Sequence, residues 1–99
     1  MKKMIKASAK QLNLVRRILQ EHVHGAEVRV FGSRITETTK TYSDMDIVIV
    51  GKKSLAPGIL AGIKADFEES DLPFRVDVLD WHKLSDEFRK VINKKYEIL

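Results

Sequence analysis

Asp44-Met45-Asp46 runs directly into Ile47-Val48-Ile49-Val50, and no other stretch restricts the fold so tightly. The near-continuous apolar run from Asp46 to Val50 predicts an interior strand covered on both faces. Its entrance carries two carboxylates in alternate positions, which share a face of an extended chain with Cα atoms roughly 6.6 Å apart. No cation stands between them in the sequence, so they repel. Divalent metal is the usual relief, and all-oxygen ligation favours Mg²⁺ or Mn²⁺. Upstream lies Phe31-Gly32-Ser33-Arg34. Gly32 would let the backbone come close to a ligand. The Ser33 hydroxyl and the amides that follow could hold phosphate oxygens at the start of a short helix.

The rest of the chain gives these motifs a setting. Ser8 is placed to cap a first helix running to about His22, with Leu12, Leu14, Val15, Ile18 and Leu19 on one broad apolar face and Gly25 beyond its end. Val28–Phe31 reads as a strand entering the Gly32-Ser33 turn, and a short helix or turn should follow Ser33. Gly51 breaks the second strand. Ser54 is a candidate cap for a helix with Pro57 in its first turn and Ile59, Ile63 and Phe67 at helical spacing. After Pro73, Phe74–Leu79 reads as a third strand. A last helix carries Leu84, Phe88, Val91 and Ile92 on one side. The expected fold is a small α/β domain with a three-stranded mixed sheet and about four helices.

Length and composition exclude several classes. Residues 1–99 suffice for one domain with a modest core. Without cysteine, neither disulfides nor thiolate metal sites are available, which fits a reducing compartment. No apolar run follows Met1-Lys2-Lys3-Met4-Ile5 as in a signal peptide, and none approaches the ~20 residues of a membrane span. The expectation is a soluble cytoplasmic protein. The net charge of +4 is uneven: Lys2, Lys3, Lys6, Lys10, Arg16 and Arg17 all precede the first acid, Glu21. These residues are not interleaved with aromatics and match no nucleic-acid module, so they read as a solvated helix face.

Each candidate residue also has a plain structural reading. Asp44 could be a turn residue or cap. Asp46 needs a partner if it enters a core strand, and Arg34 or Arg75 could supply one. Asp77 shares its face with Arg75 and Leu79 and could pair with that arginine. Asp80 competes with Asp77 as a third acid, but it ends the strand and suits a cap before Trp81. Arg34 either contacts phosphate or braces the Asp44 loop. His22, His24 and His82 have no ligand-like spacing. Tyr96, Ile98 and Leu99 have no later element to cover them; with Trp81 they either dock a partner or fold back on the chain's own core.

Gly32-Ser33, Asp44-x-Asp46 and a further acid at Asp77 together resemble the nucleotidyltransferase superfamily that includes DNA polymerase β. More narrowly, Gly32-Ser33-Arg34, Ser43-Asp44-x-Asp46-Ile47 and Val76-Asp77-Val78-Leu79-Asp80-Trp81, on through Phe88-Arg89 and Ile92, resemble the minimal nucleotidyltransferases that accompany HEPN-domain proteins. The resemblance runs from about Val28 to the C-terminus, and the first helix is matched only in kind. It implies catalytic, metal-holding carboxylates at Asp44, Asp46 and Asp77. Gly32, Ser33 and Arg34 would lie on the nucleotide side, with ATP as substrate and Mg²⁺ or Mn²⁺ as cofactor. Two ions about 3.5–4 Å apart would then assist attack on the α-phosphate and departure of pyrophosphate.

The resemblance further implies an antitoxin that adenylylates a hydroxyl, a tyrosine above all, on a HEPN-domain toxin in a hetero-oligomer, a homodimer being the alternative assembly. Two other readings stand beside it. One is a non-catalytic module that binds nucleotide or partner and blocks the HEPN protein sterically. The other is a transferase acting on a small molecule or a nucleic-acid end, for which the basic first helix is the only support.

Overall fold

The apolar second strand sits where its composition requires. In the computed structural model, which describes residues 5–99, Met45–Val50 (β2) lies between β1 (Glu27–Phe31) and β3 (Val76–Asp80). β1 pairs with it antiparallel, setting Phe31 opposite Asp46, and β3 pairs parallel, setting Asp77 opposite Asp46. Met45, Ile47, Val48 and Ile49 are all fully buried.

Two helices cover one sheet face. Ala9–Gln20 (α1) starts at a reciprocal cap, in which Gln11 N–H donates to Ser8 Oγ and Ser8 N–H donates to Gln11 Oε1. Its stripe of Val15, Ile18 and Leu19 packs with Val30, Ile47, Ile49, Ile63 and Phe67 in one core. Gly25, at φ +74°, turns the chain back into β1. Pro57–Glu69 (α2) buries Ile63 and Phe67, while Ile59 stays 37% exposed. Ser54 is not its cap. Pro57 can begin a helix because its missing N–H would be unpaired there anyway, and the proline holds Ala56 extended as the N-cap.

The opposite face is only partly covered. Asp86–Lys94 (α3) is capped by Ser85, whose Oγ accepts from Phe88 N–H at 3.2 Å. The expected apolar side of this helix is mostly open: Ile92 is fully buried, but Phe88 is 36% and Val91 56% exposed. Nine residues over an open sheet bury a seam, through Ile92 and an edge contact of Phe88 on Phe31, and leave the flanks to solvent.

The sheet has four strands, not three, in the order β3-β2-β1-β4. The extra strand, Glu97–Ile98 (β4), pairs antiparallel with β1, and Leu99 N–H donates to Val28 O at 3.0 Å. Of the two fates weighed for the C-terminus, folding back is the one observed. Leu99 packs on the core, Tyr96 and Trp81 stack on Arg29 at 4.4 and 5.0 Å, and Ile98 remains 46% exposed. The two-residue strand escaped sequence reading because it is shorter than the alternation that defines a strand.

Of the basic N-terminal residues, Lys2 and Lys3 lie outside the described residues, as do Met1 and Met4. Lys10 and Arg17 are exposed, and Lys6 Nζ lies 3.9 Å from Glu37. Among the described residues no helix is long and apolar enough to cross a membrane.

Candidate active site

The sheet register brings the acids together. Asp46 and Asp77 are direct neighbours on adjacent parallel strands, at the end where both strands begin. Neighbouring strands lie about 4.8 Å apart, so their side chains stand side by side on the face that α3 leaves open. Asp44 immediately precedes β2 and is exposed. Burial pushes the Asp46 carboxyl above the usual carboxylate range, and the charges of Asp77 and Asp44 push it the same way. No cation neutralises Asp46; neither Arg34 nor Arg75, the partners weighed for it, forms an ion pair with it among the described residues.

Asp77 does have the partner foreseen for it, with Oδ1 3.1 Å from Arg75 Nε. That arginine is 77% exposed along its side chain, and such pairs contribute roughly 0–1 kcal/mol. A dication could therefore draw Asp77 away at small cost. Among the described residues no three His, Cys, Asp or Glu side chains converge on one point. The donor set nevertheless suits a hard dication: oxygen ligands only, with a carboxylate whose negative charge is poorly tolerated as it stands. Asp46 and Asp77 would hold such an ion, with Asp44 at the rim.

Gly32 presses on this centre. At φ +77° it adopts a conformation that side chains disfavour, and a Cβ built on it would lie 2.5 Å from Asp46 Oδ2. The sequence suggested glycine for the sake of a ligand; the structure adds that the carboxylate itself needs the space. The next residue, Ser33, starts the 3₁₀ turn Gly32–Ile35, with its hydroxyl 3.5 Å from Asp44 O. Its carbonyl accepts from Thr36 N–H and from the hydroxyls of Thr36 and Thr39. The turn and the acidic loop are thus tied together.

Arg34 takes the bracing role of the two weighed for it. It is 4% exposed, and its Nε, Nη1 and Nη2 donate to the carbonyls of Ser43, Lys6 and Thr41 at 2.9, 2.7 and 2.9 Å. Its guanidinium also lies over the Phe74 ring at 4.0 Å. Burial lowers its pKa and the Asp44 charge opposes that. Arg34→Lys keeps the charge but cannot reach three carbonyls in a planar fork. A loss of about 2 kcal/mol, the cost of stranding one or two buried acceptors, is expected in denaturant unfolding. An unchanged midpoint would remove Arg34 as the brace.

Asp80 is structural, as its position at the strand end suggested. It is 3% exposed, and its oxygens accept from Leu55 N–H at 2.7 Å and His82 N–H at 3.0 Å. His22 pairs with Asp66 at 2.6 Å, His82 bonds Gly51 O, and His24 is exposed. Sequence reasoning missed a cleft of about 460 Å³ beside the carboxylate pair, walled by Phe31, Phe67 and Phe88 with Lys64 and Arg75 at its sides. The one available signal was Phe88, which stands on the apolar side of the last helix.

A glycine turn pressed against neighbouring acids at the start of adjacent strands offers open backbone and oxygen donors side by side, and the sequence comparison decides its lineage. Residues 12–99 match the nucleotidyltransferase domain family. This chain is a nucleotidyltransferase. It is also 41% identical over 91 residues to a Haemophilus influenzae protein described as probable protein adenylyltransferase MntA, covering 92% of this chain and 80% of that one. The family match takes in every element of the nucleotidyltransferase from α1 to β4 except the first helical turn.

Proposed function

We propose that this nucleotidyltransferase moves AMP from ATP to a hydroxyl of a partner protein. In this reading the partner is a HEPN-domain toxin, its acceptor a tyrosine, and the chain its antitoxin. The observation that carries the transfer chemistry is the apposition of Asp46 to Asp77, with Gly32 against Asp46. The description of the Haemophilus relative as a protein adenylyltransferase supports a protein as the acceptor.

Bound Mg²⁺ would supply charge neutralisation at the α-phosphate and the departing pyrophosphate. The chain's own residues do the rest. Asp44 and Asp46 stand beside the Gly32-Ser33 turn, so the terminal phosphates would lie along that turn, close to backbone no side chain obstructs. Asp77, one strand further over, would take the proton of an attacking hydroxyl. Arg34 keeps the acidic loop in register by fixing Thr41 and Ser43.

A steric antitoxin without catalysis would have no use for a crowded, partly buried acid. Asp46 raises the energy of the free fold, and that cost makes sense where an ion is bound.

The test is incubation of the full chain with α-labelled ATP, Mg²⁺ and the HEPN-domain protein. Label on the partner, with stoichiometric pyrophosphate, is expected; pyrophosphate-free inhibition of the partner would favour steric blocking. In the same system Ser33→Ala should weaken ATP binding about tenfold or more, the worth of roughly 1.5 kcal/mol or somewhat more for a hydrogen bond to a charged group. Unaltered affinity would take the triphosphate away from this turn.

A further inference from the structure

Among the described residues, Arg75 is the basic side chain bonded to an acid of this centre, with Nε 3.1 Å from Asp77 Oδ1. Its main chain is fixed at the same place, because Met45 N–H donates to Arg75 O at 2.8 Å where β2 and β3 begin. Side chains two apart along an extended chain share a face, so Arg75 and Asp77 stand together, and Asp77 is the cross-strand neighbour of Asp46.

The guanidinium is otherwise unspent. Neither Nη of Arg75 has a bond among the described residues, whereas Arg34 commits all three of its nitrogens to carbonyls. The Arg75 side chain is 77% exposed and borders the cleft that Asp46 and Asp77 also line. An arginine held by one exposed ion pair is a poor brace. With both Nη groups to spare it is a ready phosphate ligand, since the planar fork matches two phosphate oxygens at once.

Charge decides when it moves. A dication on Asp46 and Asp77 takes the carboxylate that holds Arg75 and sets positive charge beside the guanidinium. Like charges at that range repel, so the arginine is driven towards another anion. Two strand spacings, roughly 10 Å, separate the start of β3 from the glycine turn at the end of β1. With the terminal phosphates along that turn, the phosphate nearest Arg75 is the one that meets the acids, the α-phosphate.

We propose that Arg75 is a displaceable counter-ion: it neutralises Asp77 in the metal-free protein and passes to an α-phosphate oxygen when Mg²⁺ and ATP bind. The proposal rests on the transfer reading above. Its consequence is a difference in sign. Arg75 opposes the bare ion, with which it competes for Asp77, and favours ATP·Mg²⁺, which offers it a phosphate.

The Arg75 Nε–H resonance of the ¹⁵N-labelled full chain, read beside the backbone amides, follows both steps. Mg²⁺ alone is expected to move it together with the amides of Asp46 and Asp77, and ATP·Mg²⁺ to move it again. Arg75→Gln should tighten Mg²⁺ binding about two- to fivefold, in keeping with the worth of an exposed ion pair. The same variant should bind ATP·Mg²⁺ about tenfold more weakly or worse, as expected for hydrogen bonds to a charged group. Pyrophosphate·Mg²⁺ has no α-phosphate and should bind the variant no more weakly than the wild type. Arg75→Lys should recover ATP·Mg²⁺ binding only in part, because an ammonium keeps the charge and lacks the fork. Each spectrum also reports whether its variant is folded.

An Arg75 signal that stays in place while Asp46 and Asp77 respond to Mg²⁺ overturns the proposal, as does unchanged ATP·Mg²⁺ affinity in Arg75→Gln. Equal weakening of pyrophosphate·Mg²⁺, or full recovery in Arg75→Lys, overturns it too, since either would make Arg75 a diffuse attractor of anions. The ATP·Mg²⁺ arm keeps the two ideas apart. Shifts at Gly32, Ser33 and Asp46 with a static Arg75 remove only the counter-ion, whereas their absence removes the transfer reading and this proposal with it.

Discussion

Asp46→Asn should lower AMP transfer by about 10²–10³-fold or more, the usual loss when a group that stabilises transition-state charge is removed, and at the same time raise the melting temperature of the metal-free protein. The two effects share a cause. Asp46 is held beside Asp77, with Asp44 close by, so its negative charge serves an ion and burdens the fold. Asparagine keeps the shape and discards the charge.

The gain should depend on pH in a definite direction. The folded pKa of Asp46 is raised, first by burial and then by Asp77 and Asp44. Such a group binds its proton more readily in the folded state, so stability falls as pH rises. The penalty is absent below the unfolded carboxyl value of about 3.9, grows between that and the raised folded value, and is complete above it. Melting curves in chelator should therefore show Asp46→Asn more stable at neutral pH and level with the wild-type protein in acid. Added Mg²⁺ should stabilise the wild type and leave the variant unmoved. Equal melting temperatures at neutral pH in chelator would remove the strained-acid account, and near-normal transfer by the variant would remove the metal assignment.

Gly32→Ala should be among the most damaging single-methyl additions available in this protein. Left-handed backbone costs an L-residue about 1–2 kcal/mol, and here the new Cβ would also overlap Asp46 Oδ2 at 2.5 Å. Gly25 is the internal control, because at φ +74° it has the same backbone requirement and nothing within 4 Å of an added Cβ. Gly25→Ala should cost only the backbone share. The excess in Gly32→Ala should vanish when Asp46 is also replaced by alanine, giving a favourable coupling of about 1 kcal/mol or more in a double-mutant cycle. Additive losses would mean that glycine is needed at position 32 for its backbone angles alone.

Much of the site was legible because its geometry is local. An apolar run such as Ile47–Val50 has no place but the middle of a sheet, and alternation along it turns Asp46 away from Met45, Ile47 and Ile49; Asp44, read as the start of that strand, immediately precedes it. The cap at Ser8 and the bond of Asp80 to His82 N–H follow from side chains bonding to backbone within a few residues, and the turn at Gly25 follows from a backbone angle that side chains disfavour. Ser54 misled because two capping signals lay close together and the proline, which restricts the residue before it, decided between them.

What the sequence by itself determined was the order of elements as far as α3, the interior strand and the presence of acids at its entrance, since each depends on residues near one another in the chain. Only the tertiary structure decided what those acids meet. The parallel register sets Asp77 opposite Asp46, the glycine turn closes on the same carboxylate, and the Phe31–Phe88 corner forms between a strand and a helix more than fifty residues apart. The same holds for the C-terminus, whose two-residue strand exists only because the free edge of β1 has unpaired backbone groups to offer it. Contacts of that kind depend on strand register and helix placement, which arise from the packing of the whole core and leave no periodic trace in the residues that make them.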